Sequence, residues 1–269
     1  MNGVVQIGPL AMATERLVAV AAIWAFLALI PWLFRRDEER PAKIVWLALA
    51  VGVIAARLGY VVRHWQIFSE EPLAALYMWQ GGFSPLLGII AAALALAAGL
   101  PGIRAKLKSV GSLAVIAGVW FAISQIGLSR PPPMIPPGLT ATRLDGQTVS
   151  LDAMRGKPFV LNFGATWCPP CLREMPMLAR ASRERPEPPI FFVNQGEDAA
   201  VVTKFIANQN FAIEHAVLDQ SGAIARSVGA TALPSTLFVD AKGRIRISHI
   251  GEISRAALED GLDTIQEQN

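Results

Sequence analysis

Four apolar runs lie within the first 128 residues, and this feature limits the fold more than any other. The runs are Leu17–Phe34, Ile44–Val62, Leu86–Leu100 and Gly111–Leu128. A helix needs about 20 mostly apolar residues to cross the hydrocarbon core of a bilayer. The third run is short and extends through Ser84 and Pro85. Because 53% of the chain is hydrophobic and only 17% is charged, a purely soluble globule and a disordered chain are both excluded. The sequence therefore predicts four transmembrane helices.

Basic residues predict the orientation of these helices. They cluster after the first run and after the third run, at Arg35, Arg36, Arg40, Lys43, Arg104, Lys106 and Lys108. Loops rich in Lys and Arg face the cytoplasm. We therefore expect the N-terminus, the loop 63–83 and everything after Leu128 on the outer side. A net charge of +3 gives no indication of nucleic-acid binding.

A proline-rich segment, residues 129–138, divides the chain into two predicted domains. Its sequence SRPPPMIPPG favours polyproline II, which rises about 3.1 Å per residue and would act as a spacer of roughly 20–30 Å. We predict a four-span domain over residues 1–128 and an α/β domain over 139–269. The second domain alternates short apolar strands, such as FVLNF and IFFVN, with helical segments.

The two cysteines of the chain, Cys168 and Cys171, stand where a predicted strand passes into a helix. The helix N-terminus lowers the pKa of a thiol there, and a cysteine one turn later can close onto it. Such a pair exchanges disulfides through a mixed disulfide that the second cysteine resolves. Half a zinc site is the competing interpretation, but the three histidines His64, His215 and His249 are scattered. The motif favours redox chemistry.

The second half resembles the TlpA/ResA-like thiol-disulfide reductases of the thioredoxin superfamily. The resemblance depends on NFGATWCPPC at 162–171, Glu174-Met175-Pro176, ALPST at 232–236, and Asp240–Gly243. It implies a thioredoxin-like fold with a mixed sheet, and a redox-active disulfide with no other cofactor and no metal. It also implies that Pro234 is a cis-proline facing the disulfide and that Leu233 offers backbone groups to a peptide. The implied substrate contacts are Trp167, Pro169, Pro170, Leu233 and Pro234.

Two positions near the motif, Asn162 and Gly164, depart from thioredoxins or from these reductases. General thioredoxins have an Asp where this chain has Asn162, whereas the resembling reductases use a Glu at the position of Glu174. We expect Glu174 to tune the thiols or to relay a proton; the alternative is a solvated helix glutamate. The family commonly has Trp where Gly164 stands, so we expect open space there. Because Pro169 and Pro170 lack N–H groups, we expect a reducing protein.

The first 100 residues resemble prolipoprotein diacylglyceryl transferase. The resemblance depends on IGPL at 7–10, ARLGYV at 56–61 and MWQGGFS at 78–84. The chain departs from that family at Pro85–Gly88, where a His-Gly-Gly is expected, and 111–128 has no charged residue. We therefore do not expect lipid transfer. Two interpretations stay open: a lipid head-group contact by Arg57, Arg63 or His64, or an Arg57 that extends to the interface while Gly59 and Gly88 pack helices.

Together these features predict a multi-pass protein of the bacterial inner membrane with its thioredoxin-like domain in the periplasm. We expect it to reduce disulfides of an exported cysteine-containing client, for which a cytochrome c maturation client is one candidate. The alternatives are a disulfide-forming oxidase and a membrane-anchored metallochaperone that binds Cu(I) through its thiols. Because the membrane half has no cysteine, a separate membrane dithiol must supply the electrons. Membrane lipid is the other expected partner.

Overall fold

A computed structural model describes residues 4–7, 10–34, 42–128 and 133–267. The chain divides into two compact units. One unit spans Thr14–Arg130, and we call it the helical unit. The other holds the rest of the chain, and we call it the α/β unit. A short hairpin of β1 (Val4–Ile7) and β2 (Leu10–Ala13) groups with the α/β unit.

The helical unit is built from apolar helices. They are α1 (Thr14–Leu33), α2 (Ala42–Arg63), the short α3 (Trp65–Glu70), α4 (Pro85–Gly99) and α5 (Ile103–Leu128). Within the described residues, α1, α2 and α5 are long and apolar enough to cross a membrane, whereas α4 has only 15 residues. The predicted apolar helical region is therefore confirmed, with a third helix shorter than the others.

The basic segment before the fourth span differs from the prediction. Arg104, Lys106 and Lys108 lie inside the first turns of α5 and not in a loop. The helix begins there because Pro101-Gly102 ends the preceding segment and none of the next residues breaks a helix. Arg35, Arg36 and Arg40 lie outside the described residues, as do Gly8 and Pro9.

Helices α2 and α4 approach each other closely through glycines. A Cβ atom at Gly88 would lie 2.8 Å from the Gly52 carbonyl oxygen and 2.9 Å from the Ala56 Cβ. A Cβ atom at Gly59 would collide with Leu87 of α4. The prediction that Gly59 and Gly88 pack helices is therefore confirmed, and small residues let the two backbones touch.

The α/β unit contains a seven-stranded mixed sheet in the order β4-β3-β7-β6-β5-β8-β9. Its strands are β3 (Thr140–Arg143), β4 (Thr148–Ser150), β5 (Phe159–Gly164), β6 (Ile190–Gln195), β7 (Ala216–Asp219), β8 (Ser235–Val239) and β9 (Ile245–Ile250). Strands β5, β6 and β7 are parallel, and the remaining pairs are antiparallel. This is the predicted thioredoxin-like arrangement.

Helices cover both faces of this sheet. They are α6 (Pro169–Glu184), α7 (Ala199–Ala207), α8 (Ala223–Val228) and α9 (Arg255–Glu267). Every residue of the central strand β5 is buried, as expected for a strand that is covered on both faces. Alternate β5 side chains enter two cores, with Val160 packing near Leu178 of α6 and Leu161 packing near Ile224 of α8. The sheet thus fixes the point where β5 ends and α6 begins.

The second half of the predicted proline-rich spacer packs on this sheet. Ile135 donates its N–H to the Gly243 carbonyl oxygen at 2.8 Å, and Ile245 donates to the Pro133 carbonyl oxygen at 2.8 Å. The Ile135 side chain is buried in the core. Residues 133–135 therefore do not form the expected free spacer, because an apolar side chain gains more from burial than from water. Residues 129–132 lie outside the described part of the chain.

Candidate active site

The disulfide Cys168–Cys171 lies at the N-terminus of α6, directly after the loop that leaves β5. Cys168 is the residue before the first helical position, and its Cα lies 5.3 Å from that of Cys171. Leu172 donates its N–H to the Cys168 carbonyl oxygen at 3.1 Å. Pro169 and Pro170 take the first two helical positions, so neither offers an amide N–H to the Cys168 sulfur. Both cysteines are buried.

The segment before β8 lies against this disulfide. The peptide bond between Leu233 and Pro234 is cis, which confirms the predicted isomer. Leu233 packs on a small cluster formed by Ala165, Cys168 and Cys171. Trp167 precedes the first cysteine and is 67% exposed. The predicted peptide contacts therefore surround one sulfur pair, and their role in binding a client stays a prediction.

Glu174 lies one helical turn beyond Cys171 and is only 3% exposed. Its carboxylate accepts hydrogen bonds from Asn162 Nδ2 at 2.8 Å and from the Ile253 N–H at 2.9 Å. Burial raises the pKa of Glu174 to about 7, although these two hydrogen bonds oppose the rise. The alternative of a solvated helix glutamate is therefore wrong. Asn162 Nδ2 also donates to Thr236 Oγ1 at 3.1 Å. Asn162 of β5 thus connects Glu174 of α6 with Thr236 of β8.

The loop after β9 completes this network, and sequence reasoning missed it. Arg173 Nε donates to Glu252 Oε2 at 2.8 Å, next to the contact between Ile253 and Glu174. The like charge of Glu252 adds to the raised pKa of Glu174. Because 79 residues separate Arg173 from Glu252, no local pattern in the sequence signals that they meet.

A second carboxylate, Glu197, fixes the loop in front of the cysteines. It accepts the Thr166 N–H at 2.7 Å, the Thr166 hydroxyl, and Asn194 Nδ2 at 2.7 Å. Burial acts to raise the pKa of Glu197, but these hydrogen bonds outweigh it and the pKa is lowered. Glu197 is therefore a charged acceptor, and its hydrogen bonds hold Thr166, the residue before Trp167, in place.

A small cavity of about 30 Å³ lies beside Gly164, on the same face of the sheet as Asn162. A Cβ atom at Gly164 would lie 3.6 Å from the Cys171 sulfur, which is an ordinary van der Waals contact. The expected open space at Gly164 is therefore present.

Arg57 of the helical unit is 6% exposed and does not reach toward the membrane surface, which corrects that interpretation. Its guanidinium donates to the carbonyl oxygens of Ala74, Ala75, Tyr77, Gly81 and Gly82. The donor–acceptor distances run from 2.5 to 3.5 Å. Five N–H donors thus hold the loop 74–82 onto α2, and this leaves no N–H for a lipid head group.

His64 Nδ1 lies 3.0 Å from the Tyr60 carbonyl oxygen. Arg63 is exposed.

Among the described residues, no group of three or more His, Cys, Asp or Glu side chains is placed to hold a metal ion. The site brings together the sulfur pair and the buried carboxyl group of Glu174.

Two family models match the chain in succession. The Redoxin model matches residues 129–264, and the prolipoprotein diacylglyceryl transferase model matches residues 2–127. The chain is similar to the thiol:disulfide interchange protein DsbE of Pseudomonas fluorescens, with 31% identity over 43% of this chain and 64% of that protein. It is similar to the thiol-disulfide oxidoreductase ResA of Halalkalibacterium halodurans, with 30% identity over 46% of this chain and 70% of that protein.

A solved structure is also similar to the α/β unit. It is a thioredoxin family thiol:disulfide interchange protein from Chlorobium tepidum, with a TM-score of 0.44 and 23% identity, covering 51% of this chain and 97% of that one.

Proposed function

Because the chain belongs to the Redoxin family, we propose that it is a membrane-tethered reductase of disulfides in exported proteins. Thiol–disulfide exchange is the activity of its α/β unit, since similar proteins are named thiol-disulfide oxidoreductases and the unit holds the Cys168–Cys171 disulfide. The observation that supports the proposal most is the buried Glu174, with its pKa near neutrality, one turn beyond Cys171. The domain boundaries at residues 128 and 138 are part of the same proposal.

The proposed cycle begins with both cysteines reduced. The Cys168 thiolate attacks one sulfur of a client disulfide, that bond breaks, and a Cys168–client disulfide forms. The other client sulfur leaves as a thiolate and takes up a proton. Deprotonated Cys171 then attacks the Cys168 sulfur, and the second client sulfur leaves and is protonated. The client gains two electrons and two protons, and Cys168–Cys171 is the oxidised product.

Glu174 is the proposed proton acceptor for Cys171. Cys171 and Glu174 are three residues apart on α6, so they lie on one face of the helix, and both are buried. A carboxyl group whose pKa is about 7 gains and loses a proton readily at neutral pH. The Asn162 amide and the Ile253 N–H hold the carboxylate in place while it is charged.

The reducing direction is supported by the two prolines of the motif. A thiolate at a helix N-terminus is stabilised by amide N–H groups, and a stabilised thiolate makes the reduced form favourable and the protein oxidising. Pro169 and Pro170 remove two of those donors. A separate membrane dithiol then returns two electrons to Cys168–Cys171 by the reverse exchange, because the helical unit contains no cysteine.

The apolar helices α1, α2, α4 and α5 are the proposed tether. The Lys and Arg residues that follow the first and third apolar runs support an α/β unit on the outer side of the inner membrane of a bacterium. Disulfides persist in the bacterial periplasm, so a disulfide reductase has substrates there.

The test is to capture the mixed disulfide. A full-length Cys171→Ser variant in its own membrane should accumulate disulfide adducts of Cys168 with exported proteins, and dithiothreitol should release them. The control is a variant in which both cysteines are serine, which should accumulate no adduct. A redox titration of the full chain should give a potential nearer to about −270 mV, as in thioredoxin, than to about −120 mV, as in DsbA. A value near the latter would overturn the reductase direction.

A further inference from the structure

The loop that follows β9, residues 251–254, contacts both the cis-proline segment and α6. The Gly251 N–H donates to the carbonyl oxygen of the cis-proline Pro234 at 2.9 Å. The Ile253 N–H donates to Glu174 Oε2 at 2.9 Å. Because both donors are main-chain groups, the position of this loop determines whether the carboxyl group of Glu174 keeps its contact with Ile253.

An ion pair holds this loop on α6. Glu252 Oε2 accepts a hydrogen bond from Arg173 Nε at 2.8 Å. The Glu252 side chain is 8% exposed and the Arg173 side chain is 56% exposed. A carboxylate this buried needs a partner of opposite charge, because removal from water disfavours its ionised form. Arg173 therefore holds Glu252 in place, and Glu252 is the residue directly before the Ile253 donor.

The two members of this pair act on Glu174 with opposite signs. The negative charge of Glu252 disfavours a second negative charge on Glu174, whereas the positive charge of Arg173 favours it. Burial raises the pKa of Glu174 to about 7, two hydrogen bonds oppose the rise, and the charge of Glu252 adds to it. Loss of Arg173 should therefore make Glu174 harder to ionise, and loss of the Glu252 charge should make it easier.

The sheet beneath Glu174 presents a row of polar side chains. Asn162 of β5 is paired in register with Thr236 of β8, and Thr236 is paired with His249 of β9. Directly opposed residues share one face of a sheet, and the bond from Asn162 to Glu174 identifies that face. The titratable side chain in this row is His249, whose Nε2 lies 3.2 Å from the Glu252 carbonyl oxygen. Because a carbonyl oxygen only accepts, His249 donates this bond and ties the same loop to β9.

Helix α9, which packs on α6, begins with the cation Arg255. Its guanidinium pairs with Glu184 at 3.0 Å and with Glu259 at 2.6 Å. Glu184 lies about 15 Å beyond Glu174 along the axis of α6, so these charges are paired with one another and distant from the buried carboxyl group. The charge beside Glu174 is therefore set by the loop after β9 and its partner on α6.

From this geometry we propose that Arg173 and Glu252 are positioning residues for Glu174, and that they set the pH range in which it accepts the Cys171 proton. The ion pair keeps the Ile253 donor on the carboxylate and balances the negative charge beside it. This inference rests on the proposed function, because it assigns two more residues to the resolving step of that cycle.

The step that this pair controls is the attack of Cys171 on the mixed disulfide. Glu174 takes the proton of the Cys171 thiol, and the thiolate attacks Cys168 Sγ. The bond between Cys168 and the client breaks, the client sulfur leaves with the electron pair, and the Cys168–Cys171 bond forms. The client thiolate takes up a proton from water, and Glu174 releases its proton to water. A change in the pH at which Glu174 ionises should therefore change the pH dependence of this step.

The test measures the resolving rate of the full chain in lipid nanodiscs. The reduced protein is mixed with a peptide whose one cysteine is capped by glutathione, and samples are quenched in acid at intervals. Mass spectrometry separates the mixed disulfide from the oxidised protein, so the decay of the mixed disulfide gives the resolving rate. Its inflection between about pH 5 and about pH 9 is compared between the wild type and the variants.

Two single variants should move this inflection in opposite directions. Arg173→Met leaves Glu252 without its partner, so the inflection should rise by about 0.5–1 pH unit and the rate below it should fall by about threefold to tenfold. Glu252→Gln removes the like charge but keeps an acceptor for Arg173, so the inflection should fall by a similar amount. The matched control is Arg180→Met, which removes the same side chain from a pair with Glu184 on the same helix and should leave the inflection unchanged.

Urea unfolding of the oxidised full chain gives a second readout that needs no client. The stability contributed by protonated Glu174 is lost as the pH rises to about 7. This loss should extend to higher pH in Arg173→Met and end at lower pH in Glu252→Gln, whereas a purely structural ion pair would lower stability without moving the window. If Arg173→Met does not fold, Arg173→Gln replaces it, because glutamine keeps a donor for Glu252 but has no charge.

The outcomes separate the two proposals. If the wild type forms no mixed disulfide and reduces no peptide, the proposed reductase function fails, and urea unfolding still decides whether the pair governs the ionisation of Glu174. If the peptide is reduced but both variants keep the wild-type inflection, or both move it in the same direction, the function stands and the positioning proposal is overturned. Opposite shifts that are absent in Arg180→Met support it.

Discussion

Arg57 in the helical unit and Glu174 in the α/β unit are both buried ionisable side chains, and the two are used in opposite ways. Arg57 is surrounded by main-chain carbonyl oxygens, and in the part of the chain that the structure describes its five donors all meet such oxygens. Glu174 receives two donors, from Asn162 and from Ile253, and its pKa is raised to about 7 by burial. A guanidinium stays charged, whereas this carboxyl group changes its charge near neutral pH.

This difference teaches how to interpret a lone charged residue in an apolar sequence. Both residues stand out in the sequence, and in both cases a functional role and a structural role are open. The decisive property is whether the hydrogen-bonding capacity of the group is fully used by the protein. All five N–H donors of Arg57 are hydrogen-bonded and hold a loop, whereas the carboxyl group of Glu174 can still gain and lose a proton. The contrast leads to four predictions, in order of expected effect.

The largest effect should come from Cys168→Ser, which removes the nucleophile that attacks the client disulfide in the proposed cycle. Reduction of a glutathione-capped peptide by the full chain should fall by about 1000-fold or more, the scale on which loss of a nucleophile acts in other enzymes with covalent intermediates. The measurement is the rate of glutathione release. The Arg57 loop should be unaffected, so trypsin should cleave after Arg63 at the wild-type rate. Residual exchange in this variant would show that Cys171 can attack the client disulfide without Cys168.

Arg57→Met should destabilise the helical unit by about 3–5 kcal/mol, because five carbonyl oxygens lose their donor at once. Limited trypsin digestion should cleave after Arg63 at least about tenfold faster, since this destabilisation exceeds the 1.4 kcal/mol that corresponds to a factor of ten. Arg57→Lys should give an intermediate rate, because an ammonium has three donors in place of five. Peptide reduction should stay at the wild-type rate. Unchanged digestion would show that the loop does not depend on the guanidinium.

Glu174→Gln should change how stability depends on pH. Between pH 4.5 and about 7 the native protein holds a proton on Glu174 that the unfolded chain has released. The stability from this group is therefore full below pH 4.5 and is lost as the pH rises to about 7, by about 3 kcal/mol in total. Glu174→Gln should lack this loss when urea unfolding of the full chain is followed across that range.

The matched control for that experiment is Glu184→Gln on the same helix. Hydrogen bonds from Arg180 and Arg255 lower the pKa of Glu184. Its contribution is therefore present above its ordinary pKa and lost as the pH falls, the opposite sign from Glu174. If the wild type and Glu174→Gln show the same dependence on pH, the carboxyl group does not titrate in this window, and its proposed role as a proton acceptor fails.

The sequence predicted those parts of the molecule that local patterns determine. The sulfur pair, the apolar helices and the strands FVLNF and IFFVN follow from short patterns, and the cis bond before Pro234 follows from the family resemblance. It missed what depends on distant partners. Ile135 packs on the sheet because residues 133–135 hydrogen-bond to Gly243 and Ile245, and Arg57 meets a loop about 20 residues away. Neither contact leaves a periodic signal in the sequence.

The smallest expected effect comes from Gly88→Ala, which tests packing inside the helical unit and should leave the chemistry of the α/β unit unchanged. Gly88→Ala places a Cβ within 3 Å of the Gly52 carbonyl oxygen and the Ala56 Cβ, so α2 and α4 must separate. We expect a cost of about 1–3 kcal/mol, as for other insertions into a packed interface. The control is Gly118→Ala on α5, where nothing lies within 4 Å of the added atom and no loss is expected. Unfolding of the full chain in sodium dodecyl sulfate, followed by circular dichroism, measures both. Equal stability of the two variants would contradict the close approach of α2 and α4, whereas a loss confined to Gly88→Ala, with peptide reduction unchanged, would show that this helix contact is structural.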